Sequence, residues 1–429
     1  MANLPVKFFD NTMQGAPQLT NDWGCMTTVL DAVLVNGFNL KAVGSISSAA
    51  GIATANIPAG HPYRAGQALS MAGADQSEYN GEVRVLSVTA NSFTYAISGA
   101  PASPATGASL SCKVAPLGWE IAFTGPNKRA YRSKNVLSNR PYLRVDDSLD
   151  PAYTTTYAKK AKVTMAQGMS DIDTFVGARA PYTSLYPTIN EIGMGSGTTA
   201  NDGWHKWYYA RKGGNNAETV APAAYNRPWT IIGDDRGFFL FNEAVDSGGF
   251  GGRCFTDFES YRTGDGFNTL LAAQDYRAVA SLQPSSVDPE GYQSSDHQAR
   301  FSRTLDGTGK VCMKSYLQTG NHVNLGFTAL NTNNAINVSG YRTGINYPNG
   351  PDYSLILHPV LLTEGANLRG KLPGMFWVHN NSPAFNHMDT ITGVAGYPGR
   401  TFMLVSVAFG EQGFNYGGWL AFDVTGPWW

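Results

Sequence analysis

The sequence predicts a mainly β protein: a β-sandwich or barrel body, one N-terminal helix and an inserted small β domain. Three observations carry this expectation. Runs of β-branched and aromatic residues bounded by turn formers recur along the chain, as in IAFTGPNKRAYRS, WHKWYYARKG, PWTIIGDDRGFFLFNE, TFMLVSVAFG and WLAFDVTG. Helical period is clear only near the start. No internal repeat of about 20 to 50 residues is present, which argues against a solenoid or propeller.

The helix is expected in NDWGCMTTVLDAVLVNGF. There Asn21 can cap, Trp23, Met26, Leu30, Val33 and Leu34 share one side, and Asn36-Gly37 supplies a stop. Gly24 weakens the first turn. Residues 1–40 are read as part of the main body.

From Lys41 the texture changes to short Ala/Ser/Gly-rich segments with alternating strands, such as FTYAIS at 93–98, where Phe93, Tyr95 and Ile97 share a face, and LSCKV at 110–114. Tyr79-Asn80-Gly81 and Ala90-Asn91-Ser92 read as turns, and PASPATGAS as a surface loop. Residues 41–115 are therefore expected to form an inserted, separately folded β module. The body resumes over 116–429 with long loops. Stretches 191–203 and 283–300 carry little apolar material and read as exposed loops.

The chain has 429 residues, enough for a substantial core without staples. Lys and Arg total 31 against 32 Asp and Glu, so no polyanion-attracting field exists and nucleic acid is not an expected partner. Only 15% of residues are charged, against about a quarter in ordinary soluble proteins. Such a surface suits a chain whose neighbours cover much of it, although a neutral, Asn/Ser/Thr/Gly-rich β protein is an equal reading. Cys25, Cys112, Cys254 and Cys312 lack metal-ligand or C-x-x-C spacing, so reduced thiols are expected. With no leader pattern and no long apolar run, the expectation is folding in a cytoplasm without a membrane partner.

In RPWTIIGDDRGFFLFNE two apolar runs flank Gly233-Asp234-Asp235-Arg236-Gly237. A hairpin needs such a turn, because glycines supply positive φ and aspartates bond to nearby backbone. A catalytic carboxylate pair would instead face across a cleft, roughly 5 to 9 Å apart, and neighbours at a hydrated tip seldom do. The turn reading is preferred.

Asp171-Ile172-Asp173 offers oxygens without a calcium loop, and Asp257, Glu259 and Asp265 lack a companion motif, so loop and strand-edge roles are preferred. The histidines at 61, 205, 297, 322, 358, 379 and 387 are scattered. His379 and His387 form the one close pair, too sparse for zinc. Gly193, Gly195 and Gly197 in IGMGSGTTA lack the Lys-Ser/Thr of a phosphate loop. No catalytic residue, cofactor or metal site is therefore expected.

Aromatics crowd into WHKWYY, and the sequence closes on Trp428-Trp429. In a strand, Trp207 and Tyr209 point one way and Tyr208 the other, so core packing leads. A subunit contact through Trp204, Trp207, Tyr208, Trp428 and Trp429 is the functional alternative, with glycan stacking a third. Two tryptophans in water invite aggregation, so the GPWW segment is expected to dock on this chain or a neighbour.

Several segments together carry a resemblance: MANLPVKFFDNTMQGAPQLTN, NKRAYRSKNVLSNRPYLRVDD, MSDIDTFVGARAP, RPWTIIGDDRGFFLF, DFESYRTGD, LRGKLPGMF and DVTGPWW. Over most of residues 1–40 and 116–429 the chain resembles virion structural proteins of tailed bacteriophages, and the 41–115 module resembles small β domains that decorate phage tail and capsid proteins. The resemblance implies a structural, non-enzymatic subunit of a particle assembled in the bacterial cytoplasm. Its partners would be other virion proteins and copies of itself. Tail, tail tip or baseplate is the leading location, with capsid decoration or cement as the alternative. A host-glycan binding or depolymerising protein is the alternative of a different class.

Overall fold

The computed structural model describes residues 5–184, 187–188, 190–197, 200–212, 219–244, 246, 250–275, 309–328, 345–381, 385–411 and 414–429. The stretch 283–300 and His297 lie outside the described residues. The fold is mainly β, with one short α-helix and four seven-stranded sheets among the described residues.

The first sheet runs Lys7–Asp10, Trp229–Gly233, Gly237–Asn242, Gly251–Asp257, Thr269–Ala272, Lys310–Cys312, Val323–Asn324, with every pairing antiparallel. Its Trp229–Gly233, Gly237–Asn242 and Gly251–Asp257 strands are buried at every position. A strand covered on both faces needs a continuous apolar run rather than alternation, which is what WTII and FFLF supply. On one face Phe238 meets Trp207 at 6.0 Å and Trp119 at 5.7 Å. On the other, Phe239 and Phe241 lie 5.1 and 5.6 Å from Phe422. The sheet is thus the middle layer of three.

The layer on the Trp207 side is the sheet of Gln274–Asp275, His205–Ala210, Lys159–Met169, Tyr142–Asp146, Lys128–Arg132 and Glu120–Gly125, with Phe175–Ala180 also paired to Lys159–Met169. The layer on the Phe422 side holds Gly326–Thr328, Leu357–Glu364, Asn367–Val378, Phe414–Asp423, Thr401–Glu411 and Thr390–Thr392, with Glu259–Ser260 also paired to Asn367–Val378.

The remaining large sheet takes all its strands from Phe38 to Val114. Phe93 and Tyr95 are buried on one face, as the alternation predicts, and their cluster is continuous with the core of the body. The N-terminal strand joins the two parts. Its backbone pairs with Trp229–Gly233, while the buried Lys7 ammonium binds Glu82 at 2.6 Å and Asp10 binds Arg64 at 3.0 Å.

The helix starts later than the sequence suggests. Cys25–Leu30 is α-helical and Asp31–Asn36 continues as a π-type turn; Gly24, in the left-handed region, precedes it in place of Asn21. Asn21 instead donates to the Pro222 carbonyl at 3.0 Å. The cap comes from across the molecule: the Met26 N–H donates to Asp147 Oδ2 at 2.9 Å. That carboxyl is fully buried, and burial pushes it up to about 8 against the opposing hydrogen bonds from Tyr209 and the helix N–H groups. Gly37 ends the helix at φ 68°, where a Cβ would lie 2.3 Å from the Val114 carbonyl oxygen. Glycine is required there on both counts.

Candidate functional site

The Asp234-Asp235-Arg236 segment is a hairpin turn, with the Asp234 N–H donating to the Gly237 carbonyl at 2.8 Å. It is not a hydrated tip. Asp234 is buried, and its Oδ1 accepts from the Arg236 and Gly237 N–H groups at 2.8 and 2.9 Å. Burial pushes this carboxyl up to about 7. Asp235 binds elsewhere: its Oδ1 accepts from Asn135 at 3.0 Å, and its carbonyl accepts from the Ser133 hydroxyl at 2.5 Å. The two acids therefore serve different hydrogen-bond partners, while the neighbouring Asp235 charge adds to the rise of Asp234.

The segment carrying Trp428 and Trp429 docks on this hairpin. The Trp429 indole N–H donates to Asp234 Oδ2 at 2.9 Å, and the Arg236 guanidinium lies 3.7 Å from the ring centroid. Trp428 packs 6.0 Å from Phe239 and donates to the Asp423 carbonyl at 2.8 Å. Gly374 leaves room for it, since a Cβ there would lie 2.0 Å from the indole nitrogen.

Beside the hairpin, one carboxylate ties several loops together. Asp265 accepts from Ser260 at 2.7 Å, from Gln318 at 2.8 Å and from the Phe267 N–H at 3.0 Å, and pairs with Arg369 at 2.8 Å. Arg369 also holds Glu364 at 3.1 Å, and Glu364 accepts from the Tyr316 N–H at 2.9 Å. Asn139 donates to the Asp265 carbonyl at 3.2 Å. Arg236 binds Asp257 at 3.1 Å, which links the hairpin to the same turn region. The loops 133–140, 260–268 and 315–319 and the 364–368 turn are thus tied to one another.

These tied loops also display apolar side chains. Val136, Leu137, Tyr261, Leu317 and Leu368 are each between 49% and 80% exposed. Singly such residues are unremarkable; gathered on tethered loops they form the sort of patch that marks an interaction site. Sequence reasoning placed Asp257, Glu259 and Asp265 in loop and edge roles but did not join them to Arg369. That partner lies over a hundred residues away, on another sheet, and no local spacing points to it.

The aromatic cluster sits elsewhere, and most of the expected subunit contacts are corrected. Trp204, Trp207 and Tyr208 are buried inside the chain, so none offers an outer surface. Trp207 lies in the main core and donates to the Ala272 carbonyl at 2.9 Å, while Trp204 stacks on His322 at 5.4 Å. Tyr208 faces the opposite side, near Lys160, Lys206 and Arg211. Of the five residues expected to make contacts, Trp428 is partly buried and Trp429 is 39% exposed.

A buried charged ladder escaped the sequence reading. Lys160 pairs with Asp202 at 2.6 Å and Lys162 with Asp150 at 3.1 Å, on the face of Lys159–Met169 opposite Ala161, Val163 and Met165. The period-two alternation of KAKVTM was the available signal. Stretch 191–203 is correspondingly not a simple exposed loop: Gly193–Met194 pairs with Asn201–Asp202, Asp202 is buried, and a Cβ at Gly193 would lie 2.0 Å from Asp150 Oδ1.

The other expected loop groups have structural partners. Asp173 binds Lys128 at 2.9 Å and also Arg144. His387 stacks on Phe250 at 4.3 Å, accepts from the Ser406 N–H on Nδ1 and sits 2.8 Å from the Thr230 hydroxyl through Nε2. His379 lies 6.0 Å from His358. Among the described residues no group of three His, Cys, Asp or Glu side chains is placed to hold a metal ion. The four cysteines are free thiols. No helix of the described residues is long and apolar enough to cross a membrane.

No protein-family model matches the chain, and no curated protein matches it. Among solved structures it is similar to phage phi92 endosialidase, at 10% identity over 84% of this chain and 73% of that one, with a TM-score of 0.18. At that TM-score the likeness carries no argument about fold or activity.

Proposed function

We propose that the chain is a structural subunit of a tailed-bacteriophage virion, placed in the tail, tail tip or baseplate, that works by contact with other virion proteins and copies of itself. The observation that carries this reading is the loop end, where a buried Asp265–Arg369 pair holds the loops that present Tyr261, Leu317 and Leu368, and where Asn135 on Asp235 and Asn139 on the Asp265 carbonyl hold the loop that presents Val136 and Leu137 to solvent. Loops held in one arrangement lose little entropy on docking, so their apolar surface is used efficiently. The sparse charge and the resemblance of the quoted segments to virion structural proteins support the same reading. It gives the chain no catalytic step, and it sets assembly in the bacterial cytoplasm.

Mass spectrometry of purified particles of the phage that encodes this chain tests the proposal. Peptides of the chain in stoichiometric amount are expected, and their absence would remove it. Labelling the chain and imaging the particle separates a tail or baseplate position from capsid decoration.

A second reading, host-glycan binding, draws on the exposed rings of Tyr261 and Tyr316 on the same loops. Binding on a panel of host polysaccharides, lost in Tyr261→Ala, would favour it, and release of reducing ends would extend it to depolymerisation.

A further inference from the structure

The loop end has a chemical counterpart at the far end of the same sheet. Lys134 and Arg262 are exposed beside Val136 and Tyr261, and among the described residues neither has an ion-pair partner. The strands Leu357–Glu364 and Asn367–Val378 run away from this end as an antiparallel pair. Asn367–Val378 has 12 residues, a span of roughly 35–40 Å at about 3.3 Å per residue.

At the far end the Ile356 N–H donates to Asn380 Oδ1 at 2.6 Å, and the preceding turn folds on itself, with the Tyr353 N–H donating to the Asn349 carbonyl at 2.6 Å. That turn holds up Tyr353, 77% exposed, next to Asp352. Asn349 and Ser354 bond to the Asp352 carboxylate and hold it below the usual range, so it stays charged. One end is thus apolar with two unpaired cations, and the opposite end carries an aromatic knob beside an anion.

We propose that the loop end of one chain receives the far end of a second copy, head to tail, with the neighbouring copy's Tyr353 seated among Val136, Leu137, Tyr261 and Leu317 and its Asp352 facing Lys134 and Arg262. Two arguments select a second copy. The charges at opposite ends of one molecule are opposite in sign, which is the complementarity a heterologous contact needs to build rings or stacks. The area is adequate for a modest interface. One half-exposed tyrosine and four smaller aliphatic side chains offer on the order of 500 Å², near the upper range of patches on monomers and below the ~800 Å² per partner of a standard stable interface. Such a contact is weak singly and gains strength by repetition in an assembly. The inference rests on the contact-protein reading for its setting, and the two can fail separately. A chain found in virions but monomeric when pure would sink this inference alone, while self-association of a chain absent from virions would sink that reading alone.

Sedimentation velocity of the full chain from about 1 µM to about 1 mM, the span of weak association, is the experiment. The weight-average mass is expected to rise past that of a dimer. Leu137→Asp and Tyr353→Asp, both at exposed positions, should each weaken association at least about tenfold, with unchanged melting temperatures. An equimolar mixture of the two variants should form a dimer that grows no further, because only one competent loop end and one competent Tyr353 end remain. Arg262→Glu should weaken association, and adding Asp352→Lys to the same chain should restore it, which keeps the test independent of the apolar variants. A wild-type monomer throughout the range overturns the proposal, and so does association blocked by Leu137→Asp but untouched by Tyr353→Asp, the pattern of a symmetric contact.

Discussion

Asp265 and Arg369 meet at 2.8 Å with side chains 2% and 1% exposed, and each also holds a loop that the other does not touch. Breaking a buried pair on one side leaves an uncompensated charge, a cost of about 3–5 kcal/mol. Asp265→Ala should destabilise the protein by that order in denaturant titration and raise hydrogen exchange in 260–268 and 315–319, whose groups bind its carboxylate. Loss of stability with exchange in those loops unchanged would show that the pair does not tether them.

Trp429 is expected to report the protonation of Asp234. Burial raises that carboxyl from 3.8 to about 7, so the folded state keeps its proton longer than the unfolded chain. Its favourable contribution is complete below about pH 4 and is lost as pH rises through 7, at most about 4 kcal/mol in all. Asp234→Asn should flatten this part of the stability–pH curve. It should also change Trp429 fluorescence, because an amide nitrogen on the Oδ2 side cannot accept the indole N–H. A pH profile identical to wild type would refute the assignment.

His387 acts with the opposite sign. Burial lowers it from 6.5 to about 4, and the Ser406 N–H on Nδ1 leaves Nε2 to carry the proton toward Thr230. Its contribution is complete above about pH 6.5 and lost as pH falls through 4, at most about 3 kcal/mol. In His387→Gln the decline in thermal stability between pH 6.5 and 4 should be shallower than in wild type. An unchanged slope would rule the residue out as its source.

Lys7 joins the Phe38–Val114 sheet to the body. Burial lowers its ammonium, and Glu82 at 2.6 Å compensates. Glu82→Gln should cost about 3 kcal/mol at neutral pH. If the 41–115 module folds by itself, a chain lacking it should remain soluble once Lys7 is changed to Met. Failure of the deletion chain to fold, with or without Lys7→Met, would mean that the module completes the common core seen around Phe9 and Phe38.

Local chemistry was sufficient to read the β class, the helix stop at Gly37, the turn at Asp234-Asp235-Arg236 and the face shared by Phe93 and Tyr95. Each depends on residues within one turn or one alternating strand, where backbone sterics and period decide the outcome. Tertiary structure alone decided that Asp147 caps the helix in place of Asn21, that WHKWYY faces inward, that Trp429 closes on Asp234, and that Asp265 finds Arg369. These pairings join residues far apart in the chain, and burial sets their energies. A buried charge or indole N–H must find a partner wherever the folded layers bring one, and no local pattern encodes where that is.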